Sequence, residues 1–189
     1  MRVELPAGTG VLAGELEPPG LPEPTMKTLA DVEPRIPIYA GDLPLTINEP
    51  GSYYLAESIT TEGGGIDVTV GNVTIDLMGH TLSGGTGSGI NVDPLATGIH
   101  IKNGIVRDWE LMGLYVYAKE SVVSGVMAVG NGSTGIYVYG SALVVDCVAR
   151  NNGGEGIDVH EGVVHRCEVS RNGKNGIASR SCTKISGCN

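Results

Sequence analysis

Apolar and polar residues alternate in short segments that recur every 20 to 24 positions in the second two-thirds of the chain. Each segment opens with glycine and an aliphatic residue, and all but the last have valine two positions after that aliphatic residue. The segments begin at Gly65-Ile66, Gly89-Ile90, Gly113-Leu114, Gly135-Ile136, Gly156-Ile157 and Gly176-Ile177. Alternation is typical of a strand with one buried face. The first and third residues after each glycine are therefore predicted to point inwards, and the second and fourth outwards.

Asparagine forms a second column in the same repeat. Asn131, Asn152 and Asn172 each lie four residues before the next segment's glycine, and each is followed by glycine. Equivalent positions of stacked turns are separated by about 4.8 Å, close enough for one amide to bond the next. We therefore predict that these three residues form a structural ladder at a tight, buried turn.

Cysteine forms a third column. Cys147, Cys167 and Cys188 fall about one repeat apart, which predicts stacked thiols that pack as small apolar residues and bind no metal. Cys182 lies outside this column. A disulfide between it and one of the other three cysteines stays open, because the number of cysteines does not decide the pairing.

A fold follows from these columns. One strand per repeat cannot bury its apolar face alone, but stacked repeats build parallel sheets around a shared interior. Leucine-rich repeats require leucines at fixed positions, and left-handed hexapeptide helices require a six-residue period; the chain has neither. We predict an all-β, right-handed parallel β-helix of about five to six coils, because this fold tolerates turns of different lengths.

Composition divides the chain near residue 50. Nine of the ten prolines precede Gly51, whereas there is no phenylalanine and only one tryptophan among 189 residues. Proline-rich sequence cannot form a regular ladder. The predicted organisation is therefore an extended Pro-rich arm over residues 1–50, followed by the β-helix over residues 51–189.

Charge limits the range of partners. The chain has 12 Lys and Arg against 21 Asp and Glu, a formal net charge of −9, and residues 1–50 account for −5 of it. This sign opposes a surface that follows nucleic-acid phosphates. No apolar run is long enough to span a membrane. We expect neither nucleic acid nor a membrane span.

Several motifs carry a resemblance to a known family. They are Pro50-Gly51-Ser52-Tyr53-Tyr54-Leu55, Val73-Thr74-Ile75-Asp76-Leu77 with Gly79, the Met26-Lys27-Thr28-Leu29 segment and the Asn-Gly and Gly-Ile repeats. Over residues 26–189 the chain resembles bacterial right-handed parallel β-helix repeat proteins of the pectin-lyase-like class. The resemblance implies the β-helix fold. It also implies a link to acidic polysaccharides, on which the enzymatic members of the class act.

The catalytic motifs of that class are missing. Its hydrolases resemble one another in Asn-Thr-Asp, Asp-Asp, Gly-His-Gly and Arg-Ile-Lys strings, and none occurs here. Its lyases combine Ca²⁺-binding carboxylates with a basic residue, and here the cations are dispersed. We predict no catalytic site and no cofactor, with Ca²⁺ kept only for the lyase-like alternative. The remaining polar candidates are Asp158, His160 and Glu161, of which the first two share an exposed strand face.

Tyrosine marks the most distinctive surface. Tyr115 and Tyr117 align one repeat apart with Tyr137 and Tyr139, at the two outward positions. Stacked coils should bring them together as a two-by-two block. Tyrosine combines an apolar ring with a polar tip, so the block is predicted to bind a ligand or partner, or to stiffen the sheet by packing.

Two functions are consistent with these features. The leading hypothesis is a non-catalytic structural protein, extracellular or on the cell surface, that self-associates through the N-terminal arm and an open C-terminal coil. Strand edges at the ends of a β-helix recruit other strands unless they are covered. The alternative is a carbohydrate-binding or polysaccharide-lyase-like module that acts on acidic glycans.

Overall fold

The computed structural model of the protein describes residues 34–181 and 183–189. The described chain contains seventeen strands and a single 3-10 turn, Ala40–Asp42. Every strand pairing in it is parallel, and equivalent strands of successive turns lie side by side in three sheets. The all-β parallel β-helix predicted from the repeat is confirmed.

Sheet A contains the Gly-aliphatic segments and has seven members in the described residues. They are β2 (Leu45–Ile47), β5 (Ile66–Val68), β8 (Ile90–Val92), β10 (Leu114–Tyr117), the first parts of β12 (Ile136–Val145) and β14 (Ile157–His165), and β16 (Ile177–Ser179).

Sheet B follows sheet A in each turn. It contains β1 (Ile36–Ile38), β3 (Gly51–Leu55), β6 (Val73–Asp76), the first parts of β9 (His100–Arg107) and β11 (Ser121–Val129), the second parts of β12 and β14, and β17 (Thr183–Ser186).

Sheet C completes each turn. It contains β4 (Ile59–Thr60), β7 (Thr81–Ser83), the second parts of β9 and β11, β13 (Val148–Arg150) and β15 (Glu168–Ser170).

The corners between sheets are made by single residues in the left-handed backbone region. The corner after sheet C has φ of 60° at Asp108, 56° at Asn151 and 54° at Arg171, and the corner after sheet B has 57° at Asn103 and 55° at Asp146. Asparagine and aspartate tolerate this conformation better than most residues. At Asn103 one such residue redirects the chain without a loop, so β9 continues directly from sheet B into sheet C.

The interior is a narrow stack of aliphatic side chains. Inward residues of sheet A, such as Ile90, Val92 and Val138, are at most 1% exposed. Inward residues of the central coils in the other sheets, such as Val144 in sheet B and Ala149 in sheet C, are fully buried as well. Trp109 is the one large aromatic side chain in this interior that is fully buried. The alternation predicted from the sequence therefore does separate inward from outward positions.

The solenoid differs from the prediction in length. It has about seven turns rather than five to six, because strands appear ahead of Gly51: β1 pairs with β3, and β2 pairs with β5. Their prolines do not prevent this, because β1 is at the edge of its sheet, where a missing N–H is tolerated. Residues 1–33 of the predicted arm lie outside the described residues. Among the residues described, none forms a helix long and apolar enough to cross a membrane.

Candidate ligand-binding surface

The four predicted tyrosines come together on the outer face of sheet A. In the parallel register of β10 and β12, Tyr115 is opposite Tyr137 and Tyr117 is opposite Tyr139. The two rings of each pair are stacked, with centroids 5.2 Å apart in the first pair and 4.2 Å in the second. We call these four residues the tyrosine block.

The stacking decides which parts of the rings are accessible. The interplanar angles are 14° for Tyr115 and Tyr137 and 7° for Tyr117 and Tyr139, so the paired rings cover each other's faces along the helix axis. All four side chains are half-buried. Between stacked rings, a ligand therefore meets ring edges and hydroxyl groups, and a ring face is offered only at an end of a stack.

His160 extends one of the two stacks. Its ring lies against Tyr139 with centroids 4.5 Å apart and a tilt of 45°. Tyr117, Tyr139 and His160 thus form one continuous column of rings, in which the imidazole packs against an aromatic neighbour.

Asp158 extends the other row, and its predicted exposure is wrong. Asp158 lies opposite Tyr137 in the register, yet it is only 1% exposed. Arg180 from the next coil covers it and donates from Nη2 to Oδ2 at 2.7 Å and from Nε at 3.2 Å. A buried carboxylate requires such a partner. The hydrogen bond to Asp158 and the charge of its carboxylate in turn raise the pKa of Arg180.

The trio of polar candidates is thus divided among different environments. Asp158 is held by Arg180, His160 packs on Tyr139, and Glu161 is exposed opposite Ser141. Within the described residues, no hydrogen bond links these three side chains to one another. This arrangement links stacked coils, and the absence of a catalytic site stays a prediction.

The electrostatics of the block follow from its packing. Burial raises the pKa of the Tyr137 hydroxyl, and the adjacent Tyr115 and Asp158 raise it further. The hydroxyl therefore stays protonated at neutral pH, where it can donate a hydrogen bond.

A cleft opens at the other end of the first row, beside Tyr115. Its volume is about 430 Å³, and it is lined by the outer positions of sheet A and by the turns that precede them, including Asp67, Asn91, Tyr115, Ser88, Leu111 and Met112. Asp67, Asn91 and Tyr115 are successive partners in the parallel register. The cleft thus borders the end of the Tyr115–Tyr137 stack.

Two polar side chains are arranged on the floor of this cleft. Asn91 Nδ2 donates to Asp67 Oδ1 at 2.8 Å. Within the described residues, neither side chain makes another hydrogen bond. Asp67 Oδ2 and Asn91 Oδ1 therefore remain available as acceptors for a ligand. Neither Asn91 nor the cleft was predicted from the sequence, although a signal is present there: residues 67, 91, 115, 137 and 158 all occupy the second position of the repeat.

The asparagine ladder has the geometry expected from the sequence. Asn152 Oδ1 accepts from both the backbone N–H and Nδ2 of Asn131, at 3.1 and 2.9 Å, and Asn172 Oδ1 accepts from the same two groups of Asn152 at 3.1 and 3.0 Å. Asn131 and Asn152 are at most 2% exposed. Each amide also donates to an interior carbonyl, Val106 O, Ala128 O or Ala149 O. These residues satisfy the turn and are not available to a ligand.

The cysteine column is packed in the same way. Cys147 and Cys167 are buried free thiols, and the Cys167 backbone N–H donates to Cys188 Sγ at 3.4 Å. The adjacent Cys167 thiol and burial raise the pKa of Cys147, which keeps it protonated. No three His, Cys, Asp or Glu side chains within residues 34–181 and 183–189 converge as a metal site.

The chain belongs to a known family. The family model described as right handed beta helix region matches residues 58–189. This match agrees with the resemblance to the pectin-lyase-like class, and the family that it identifies consists of right-handed β-helices. No curated protein and no solved structure has significant similarity to the chain.

Proposed function

We propose that the protein is a non-catalytic β-helix that binds a polysaccharide in the cleft beside Tyr115. The observation that carries the proposal is the cleft itself, about 430 Å³ in volume and lined by an aromatic ring, a carboxylate and an amide in register. Its volume is within the range of small-ligand sites, roughly 300–1,000 Å³.

The chemistry of the lining suits a sugar. A pyranose has an apolar C–H face, which packs on an aromatic ring, and hydroxyl groups at its edge. Tyr115 is the end of its stack on the side of Asn91, so a ring face borders the cleft. Asp67 Oδ2 and Asn91 Oδ1 can accept from sugar hydroxyls, and Ser88 adds a hydroxyl group. Leu111, which is 52% exposed, supplies an apolar wall.

This proposal treats the protein as extracellular or bound to the cell surface, where polysaccharides are found. It assigns no bond cleavage, because the buried Asp158 is already ion-paired with Arg180. A lyase-like activity would instead give an unsaturated product with ultraviolet absorbance, which is the assay that would revise this part of the proposal.

Glycan binding is tested with matched tyrosine variants. The purified protein is applied to a glycan array, and the best ligand is titrated by calorimetry against Tyr115→Ala and Tyr117→Ala. Loss of the ring at the cleft should weaken binding about tenfold, since aromatic contacts contribute about 0.5–1.5 kcal/mol beyond the area they bury. Tyr117 does not line the cleft, so its variant should bind like the wild type. Absence of any bound glycan, or equal affinities in both variants, would refute the proposal.

A second candidate function, self-association, is favoured by a different observation. Leu95 is 89% exposed, at a turn that follows β8. Val92 pairs with Val116 and Thr97 bridges Lys119, so this turn lies in the coil next to Tyr117 and adds an exposed apolar side chain on the same side of the solenoid. Contiguous apolar and aromatic surface is typical of protein interfaces.

Sedimentation velocity tests this second candidate. The wild type should associate as its concentration rises, and Leu95→Ser should shift the equilibrium towards monomer. Leu143→Ser is the control, because Leu143 is 38% exposed but belongs to sheet B. A wild type that remains monomeric would exclude association through this face. Deletion of residues 1–25, measured by light scattering, tests separately whether the N-terminal arm is required.

A further inference from the structure

Two arginines of sheet C and a third at the corner that follows it come together on the outside of the solenoid. Arg107 lies opposite Val129, Val129 opposite Arg150, and Arg150 opposite Ser170 in the parallel register. Arg171 follows at the left-handed corner that ends this turn. The three guanidinium groups therefore come from three different coils and follow the helix axis.

These arginines line one depression. It has a volume of about 510 Å³ and is bounded by Arg107, Val129, Arg150, Asn151, Ser170 and Arg171. Among these six residues there are three cations and no acid, in a chain whose formal net charge is −9. The positive charge here is thus a local feature against an acidic background.

Two of the three cations are uncompensated. Arg107 is paired with Asp108, with Nε 2.7 Å from Oδ2. Arg150 donates only to Met127 Sδ at 3.6 Å, and in the described part of the chain neither Arg150 nor Arg171 forms an ion pair with a carboxylate. By contrast, Arg166 and Arg180 are each paired with an aspartate. Adjacent unpaired arginines repel one another, so an anion in the depression would stabilise them.

We propose that this depression binds a sulfated polysaccharide. Arg107 and Arg171 are separated by three coil steps of about 4.8 Å, roughly 14 Å in all, which is longer than one sulfate ion and suits a chain with several anionic groups. The planar guanidinium fork bonds sulfate oxygens in pairs, and it is weakly hydrated, which lowers the cost of leaving water.

The lining favours a sugar polymer over other polyanions. It contains no aromatic side chain on which nucleic-acid bases could stack. It also lacks the apolar pockets by which peptides are recognised, since Val129 is its one apolar residue. This site shares no lining residue with the Tyr115 cleft and does not depend on it. The two sites are near each other in the sequence, since Val129 of the depression and Ser133 of the cleft are four residues apart.

The test compares dextran sulfate with unsulfated dextran in calorimetric titrations. The wild type should bind the sulfated polymer, with an affinity that falls as salt is added, and should not bind dextran at this site. Arg150→Glu combined with Arg171→Glu should reduce the affinity about a hundredfold, taking about 1.4 kcal/mol for each charge-assisted contact. Lys119→Glu combined with Lys184→Glu is the matched control, because both lysines are exposed outside the depression and the net charge changes equally.

Several results would overturn the proposal. Equal losses in the two double variants would mean that binding depends only on net charge. Loss of binding in Tyr115→Ala but not in the arginine variant would assign the polymer to the cleft instead. Tighter binding of a single-stranded oligonucleotide or of polyglutamate would change the class of ligand. Circular dichroism and the milder pair Arg150→Gln and Arg171→Gln show whether any loss comes from unfolding.

Discussion

Trp109 and Asn131 occupy the same position in successive coils. The backbone N–H of Trp109 donates to Asn131 Oδ1 at 3.2 Å, as the N–H of Asn131 does to Asn152 Oδ1 at 3.1 Å. The carbonyls match as well, since Trp109 O accepts from Gly132 and Asn131 O accepts from Gly153, both at 2.8 Å. The indole thus takes the place of an asparagine side chain at the N-terminal end of the ladder.

Two glycines make room for this indole. A Cβ at Gly85 would lie 2.7 Å from Trp109 Cζ3, and one at Gly89 would lie 2.7 Å from Nε1. Trp109 Nε1 donates to Leu82 O at 3.4 Å, which satisfies its polar atom inside the core. At this level the position is filled by one indole ring, whereas in later coils it is filled by the asparagine amides.

Gly89→Ala should therefore destabilise the protein. Its new methyl would also lie 2.6 Å from Val106 Cγ1 and 2.8 Å from Gly113 O, so the core must shift. We expect a loss of about 1–3 kcal/mol in the free energy of unfolding, the usual cost of overpacking. Thermal denaturation followed by Trp109 fluorescence measures it. Gly41→Ala, where no atom lies within 4 Å of the new Cβ, should change stability by less than about 0.5 kcal/mol. Equal midpoints for both variants would contradict the packing argument.

Asn152→Ala should be more harmful than Asn172→Ala. Removal of the Asn152 amide leaves the N–H and Nδ2 of buried Asn131 without their acceptor, at a cost of about 2–3 kcal/mol for unsatisfied buried donors. Asn172 is only half-buried, so water can replace its side chain. Urea denaturation of the two variants checks the order, and a larger loss for Asn172→Ala would contradict the predicted burial of the ladder.

Asp76 should make stability depend on pH in the acid range. Burial alone would raise its pKa, but hydrogen bonds from the Met78 N–H and the Asn103 amide, together with the Lys102 ammonium, lower it below 3.8. A carboxylate with a lowered folded pKa stabilises the protein above its unfolded pKa. That contribution is lost as the pH falls through the folded value.

The corresponding variant is Asp76→Asn. It should be less stable than the wild type at pH 7, and the difference should disappear as the pH is lowered through and below 3.8. Glu62→Gln removes one exposed negative charge and serves as the control. Chemical denaturation at a series of pH values measures both differences; one that persisted unchanged at pH 2 would show that the charge of Asp76 is not responsible.

Tyr115 and Tyr137 should be energetically coupled. Their stacked rings predict a coupling energy of about 0.5–1.5 kcal/mol in a double-mutant cycle with alanine. The same cycle for Tyr115 and Tyr54, which lie on different sheets, should give a coupling near zero. A zero value for the stacked pair as well would show that the block contributes nothing to folding stability.

The period of the sequence was sufficient to predict the features that repeat once per coil. Tyr115 and Tyr137 could be paired in advance because each follows its glycine by the same number of residues, and the asparagine ladder could be predicted for the same reason. The burial of Asp158 could not be predicted, because it depends on Arg180, which reaches back from a different position of the next coil.

The cleft and the arginine depression required the three-dimensional path of the turns. The cleft is bounded by residues 86–88 and 111–112. These residues belong to the turns that precede sheet A, and such turns differ in length between coils. Arg107 and Arg150 share one column of the repeat, but Val129 separates them, and Arg171 lies in the corner one residue beyond that column. A search for identical residues in neighbouring repeats therefore does not bring the three together.

The sequence by itself determined the class of fold, the inward and outward faces of each strand and the columns of identical side chains. It could do so because a parallel solenoid converts a fixed spacing along the chain into contact between neighbouring coils. Only the tertiary structure decided that the solenoid starts before Gly51, that Asp158 is buried, and which unlike residues share a cleft. Those outcomes depend on corner geometry and on long side chains that reach across coils, and neither is encoded in the repeat.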